Sequence, residues 1–227
     1  MRSPRRISIA GLDIELSDVA AVLRELRETY GEFARRCEAF KTDARNPHLC
    51  RAGCSHCCKS GAVFAVTLAE AVELGTAMGE LPEERRSSYV GAAERLIGEQ
   101  KRVFSAIAGD ADVPGRRDES IFSRRVSRLN EVKPACPLLD GDLCSVYEGR
   151  PLLCRAYGFP VDAYAVKTDE AIVFRSLCVL YEGMQLRGYV RAEELKERMA
   201  ALSRRIGGGR AWGRFTSIEA ILARIVY

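Results

Sequence analysis

Four cysteines, Cys50, Cys54, Cys57 and Cys58, fall within nine positions of the polar stretch KTDARNPHLCRAGCSHCCKSG. Free cysteine usually hides as a small hydrophobe, and this stretch offers little apolar surface in which to hide four of them. Separations of two and three residues instead let one loop aim several sulfurs at one ion, because thiolates must converge to about 2.3 Å from zinc.

A second set, Cys136, Cys144, Cys154 and Cys178, lies downstream. In CPLLDGDLC the Asp140-Gly141 pair predicts a tight turn between Cys136 and Cys144. Cys154 stands beside Arg150 and Arg155, whose charge is expected to favour thiolate over thiol. Cys178 follows a predicted short strand, Ile172-Val173-Phe174, and is expected to close the set. The candidate metal ligands are therefore Cys50, Cys54, Cys57, Cys58, Cys136, Cys144, Cys154 and Cys178. Eight thiolates suit two four-thiolate ions, one polynuclear cluster, or an iron-sulfur cluster such as [4Fe-4S] with spare thiols, and spacing does not choose among these. Adjacent side chains tend to diverge, so Cys57 and Cys58 are expected to serve two centres.

The ninth cysteine, Cys37, recurs with Val19, Val22, Leu23, Leu26, Tyr30, Phe33 and Phe40 on one helical stripe and is assigned to the core. His48 and His56, the only histidines, are given no ligand role. Asp140 and Asp142 are read as turn residues rather than an acid-base pair.

The opening MRSPRRISIAGLDIELSD begins basic, but Ile7-Ser8-Ile9-Ala10 is too short for a signal-peptide core. No apolar stretch approaches the roughly 18 to 20 residues that span a bilayer. A cytoplasmic location is expected, where nine cysteines point to metal ligands or redox groups rather than to a disulfide framework. The net charge of +4 comes from 35 basic and 31 acidic residues. The arginine pairs are scattered among Glu and Asp, unlike the one-sided basic face of a nucleic-acid binder. Neither nucleic acid nor a membrane is an expected partner.

Helical periodicity predicts a helix from about Ser17 to Lys41, and a capping box at Thr67 to Glu70 predicts a second after the apolar run Ala62 to Val66. Further helices are expected from about Glu83, over 116 to 131, around Glu193 to Ile206 before Gly207-Gly208-Gly209, and after a Thr216-to-Glu219 capping box. The expected fold is mainly α with short β-strands or hairpins. It is read as a single domain over 1–227 organised around a cysteine-ligated metal centre, with a cysteine-cluster core at about 46–182 and flanking N- and C-terminal helices.

The run CRAGCSHCCKSG from Cys50 to Gly61, the helix VTLAEAVEL after it, and CPLLDGDLCSVYEGRPLLCRAYGFP from Cys136 to Pro160 together resemble the YkgJ-type cysteine-cluster family. That family is a zinc- or iron-chelating domain named for its CxxCxxCC motif. The resemblance implies eight metal-binding cysteines with zinc or iron as the cofactor. One departure is that three residues, not two, separate Cys50 from Cys54. A narrower relative, flagellin lysine N-methylase, shares the cluster and uses S-adenosylmethionine. It implies the alternative, an iron-sulfur, S-adenosylmethionine-dependent enzyme acting on a protein or peptide substrate.

Cys50, Cys54 and Cys57 also match the CxxxCxxC spacing of radical S-adenosylmethionine enzymes, but a long helix precedes them and no strand–helix alternation follows. No glycine-rich turn follows a strand, as a conventional nucleotide fold requires. A third class, a thiol redox sensor, predicts reversible disulfides in metal-free protein. The leading expectation is a metal-binding protein whose ions tie the loop at 50 to 58 to the segment at 136 to 178. No catalytic residue is assigned.

Overall fold

The computed structural model describes residues 5–9, 11–43, 53–59, 64, 66–103, 135–162, 166–167, 172–173, 178, 180, 188–208 and 218–227. Seven α-helices are found among them, with a few short antiparallel strands. None of these helices is long and apolar enough to cross a membrane.

The longest helix, α1 (Leu16–Lys41), forms where the stripe predicts it. Val19 and Leu23 enter one hydrophobic cluster, while Val22, Leu26, Tyr30, Phe33 and Cys37 enter a second. Cys37 therefore packs as a hydrophobe in the second cluster. Before α1, β1 (Arg6–Ile9) and β2 (Leu12–Glu15) pair antiparallel, with Ile7 opposite Ile14. The apolar run at Ile7 to Ile9 is thus an edge of the core, with both isoleucine side chains fully buried.

A one-turn helix, α2 (His56–Lys59), precedes α3 (Leu68–Gly79). The predicted capping box holds: Glu70 N–H donates to Thr67 Oγ1 at 3.4 Å, and Thr67 N–H donates to Glu70 Oε2 at 2.9 Å. Almost every residue of α3 is buried, which suits a helix lying between both clusters. Arg27 of α1 grips Glu73 of α3 through two bonds of 2.8 and 3.0 Å.

Helix α4 (Glu83–Val103) follows Pro82. Downstream come the hairpin β3 (Leu139–Asp140) and β4 (Leu143–Cys144), a 3-10 turn at Tyr147–Gly149, and the short α5 (Leu152–Ala156). Strands β5 (Val166–Lys167) and β6 (Ile172–Val173) pair where a strand was expected. Helix α6 (Glu193–Ile206) buries Leu195, Met199 and Leu202 and stops at the glycine run, Gly208 standing at φ +65°. Its first turn is capped from a distance, because Asp162 Oδ1 accepts from the N–H groups of Ala192 and Glu193. Ala69 N–H of α3 donates to Ser203 Oγ of α6 at 3.0 Å.

Finally α7 (Ile218–Leu222) packs on α4, and β7 (Ile225–Val226) joins β1 to complete a sheet of order β2-β1-β7. Glu219 accepts from Gln100 Nε2 at 2.7 Å across this contact. The helix expected over 116 to 131 and the Thr216 cap lie outside the described residues. Several of the scattered arginines meet acids: Arg6 pairs with Asp13, Arg36 with Glu32 and Glu194, Arg85 with Asp140, and Arg205 with Glu25.

Candidate metal centre

The turn into α2 places Gly53 at φ +81°, a left-handed conformation that suits glycine. Cys57 and Cys58 sit on α2, and Cys54 and Ser55 just before it. This loop is held to the second cysteine segment at two points. Ser55 Oγ donates to Asp142 Oδ1 at 2.5 Å, with Lys59 pairing to the same oxygen. Cys136 N–H donates to the carbonyl of Cys58 at 2.7 Å, a main-chain bond between the two stretches.

In the hairpin, Leu139 faces Cys144 and Asp140 faces Leu143, with Gly141 at φ +60° in the turn. Tyr89 of α4 shares a 2.6 Å hydrogen bond with Ser145. The 3-10 turn lies hard against α3: a Cβ on Gly149 would stand 2.7 Å from the Cβ of Ala77. Pro151 then leads into α5, where Leu152 N–H donates to Glu70 Oε1 at 2.7 Å. Glu70, 2% exposed, thus caps both α3 and the helix that carries Cys154.

Cys57, Cys58, Cys136, Cys144 and Cys154 line a narrow, largely apolar chamber of about 20 Å³ walled by Leu74, Leu138, Val146 and Ile218. Cys57, Cys136, Cys144 and Cys154 each lie within electrostatic reach of the other three. The sulfurs of Cys57 and Cys58 are 3.9 Å apart. Tetrahedral zinc with bonds of ~2.3 Å sets its sulfurs about 3.8 Å apart. These adjacent side chains, expected to diverge, instead line the same chamber.

Cys54 and Cys178 line a second, wider chamber of about 110 Å³, which shares Cys57 and Cys154 with the first. Cys178 lies within electrostatic reach of Cys54 and Cys57. Of the eight predicted ligands, seven are therefore gathered around two adjoining chambers; Cys50 lies outside the described residues, as does His48. His56 lines neither chamber.

Among the described residues no three His, Cys, Asp or Glu side chains already stand in position to grip one ion. The donor chemistry nevertheless fits zinc or iron. Burial pushes the Cys136 thiol up to about 12, helped by the neighbouring Cys144, and raises Cys144, Cys154 and Cys178 as well. Cys57 is raised first by its hydrogen bond with Cys58 and then by burial. Thiolates crowded into an apolar chamber repel one another, and a divalent cation is what allows them to ionise together.

The expectation that neighbouring arginines favour the Cys154 thiolate is therefore corrected. Arg150 does pull its pKa down, but burial and the Cys136 and Cys57 sulfurs outweigh it. Sequence reasoning also gave Ser55 and Lys59 no role. Glu70 was visible as a capping residue, but its second bond reaches a backbone N–H 82 positions away. Asp142 was visible as a turn residue, with nothing local to signal its tie to the loop.

A family model, CxxCxxCC, described as "Putative zinc- or iron-chelating domain", matches residues 49–179, the span that contains all eight clustered cysteines. No curated protein and no solved structure matches the chain.

Proposed function

Because the chain belongs to the CxxCxxCC family of zinc- or iron-chelating domains, we propose that it holds zinc or iron in the narrow chamber through thiolates drawn from Cys57, Cys58, Cys136, Cys144 and Cys154. Cys54 and Cys178, which line the adjoining chamber, extend the sulfur set. The observation that carries this reading is that Cys57 and Cys58 from the first cysteine stretch and Cys136, Cys144 and Cys154 from the second line one chamber. A chamber of about 20 Å³ has room for about one water-sized sphere, enough to admit an ion. The ion supplies the positive charge that buried thiolates need, and it fastens the α2 loop, the hairpin and α5 to one point. In small zinc domains such binding contributes on the order of 10 kcal/mol to folding.

Elemental analysis and a visible spectrum of anaerobically purified protein test this reading. Zinc or iron at one or more ions per chain is expected, colourless if zinc and brown if an iron-sulfur cluster. Protein that folds fully without bound metal, and that gains none when zinc or ferrous iron is supplied, would refute it.

A further inference from the structure

The wider chamber has a second character besides its sulfurs. Among the described residues its basic side chains are Lys41, Arg150 and Arg155, and no carboxylate lines it beside the sulfurs of Cys54, Cys57, Cys154 and Cys178. Lys41 is balanced by Glu38 at 2.6 Å. The arginines are held differently. Arg150 lies 3.5 Å over the Tyr147 ring and donates Nε–H to the Tyr147 carbonyl. Arg155 lies 4.4 Å over the Tyr30 ring and donates to the carbonyls of Arg150 and Glu148. Among the described residues neither forms an ion pair. Rings and carbonyls fix each guanidinium in place, so little freedom is lost when it grips a ligand. A guanidinium fork matches the oxygens of carboxylate and phosphate. Tyr157 and Phe159 supply apolar surface beside it.

We propose that this chamber binds a small oxyanion, a carboxylate or phosphate group, through Arg150 and Arg155, next to the bound metal. The proposal rests on the metal-binding reading, in which the ion shares the charge of Cys57 and Cys154. A cavity of ~150 Å³ accepts benzene, so about 110 Å³ suits a group of about five non-hydrogen atoms. Propionate, inorganic phosphate and the neutral propionamide are all of that size.

Metal-loaded full-length protein is titrated calorimetrically with each of the three, and metal content is measured on the same samples. Saturable binding of propionate or phosphate and none of propionamide is expected, the tighter anion naming the source. Arg150→Gln should keep its metal and bind that anion at least ~10-fold more weakly. Arg150→Lys, which keeps the charge without the fork, should fall between. Equal affinity in Arg150→Gln, or no saturable anion binding by loaded protein, overturns the proposal and leaves the metal reading standing. Loss of metal from Arg150→Gln also overturns it, by making the guanidinium a counter-ion of the sulfur cluster. Wild-type protein that takes up no metal overturns both.

Discussion

Glu70 illustrates how single side chains hold the centre together. Its Oε2 accepts from Thr67 and its Oε1 from Leu152, so one buried carboxylate fixes the starts of α3 and α5. Replacing it with alanine strands both N–H groups, and Glu70→Ala is expected to cost about 2 to 4 kcal/mol in urea unfolding. Glutamine, which keeps one oxygen, should recover part of that. Among the cysteines, Cys154→Ser is expected to lower metal content and Cys37→Ser to leave it unchanged, since Cys37 packs in an apolar cluster. Unchanged stoichiometry in Cys154→Ser would remove Cys154 from the ligand set. The role of Cys37 was legible because Phe33, four positions before it, and Phe40, three after it, continue the apolar stripe. Those of Ser55, Asp142 and Glu70 were not, because each depends on a partner distant in sequence.

At the scale of elements, the longer helices were readable, while the short α2 and α5 and most strands were not. α1, α3, α4 and α6 carry a 3.6-residue apolar period with clear stops, and the Asp140-Gly141 turn announced its hairpin. β1 and β2 are four residues each, too short for alternation to stand out; β1 is covered by α3 and flanked by β7, and β2 meets α1. The close seat of the 3-10 turn on α3 predicts that Gly149→Ala destabilises by about 1 to 3 kcal/mol, because its methyl would meet Ala77. Thermal unfolding would check this, and an unchanged Tm would contradict the contact.

The α1 and α6 surfaces are joined by Glu32, whose carboxyl Arg198 and Arg36 hold below the ordinary carboxylate range. A pKa lowered in the folded state gives stability that is present above the ordinary carboxyl pKa and lost as pH falls through the lowered value. Wild type and Glu32→Gln should therefore differ by less than ~1 kcal/mol near neutral pH, the range of exposed pairs, and converge in acid. A gap that persists in strong acid would assign the effect to something other than this charge.

For the molecule as a whole, the two hydrophobic clusters differ in their dependence on the ion. The first includes Leu138, Val146 and Leu74 of the narrow chamber wall, whereas the second is built mainly from α1, α6 and the stretch after α5. Chelation is expected to speed amide hydrogen exchange in residues 53–59 and 136–156 well before the buried face of α1. Uniform acceleration across all helices would show instead that the ion governs global stability.

The main-chain bond from Cys136 to Cys58 also has a consequence for biosynthesis. At translation rates of ~5–20 residues per second, the sulfurs of the α2 loop leave the ribosome on the order of ten seconds before Cys178 is made. Through that interval they are borne by a nascent chain in which the other proposed ligands do not yet exist. Metallation that draws on both stretches could therefore be completed only towards the end of synthesis, and a shortage of reductant or of metal would strike this protein during manufacture rather than in service.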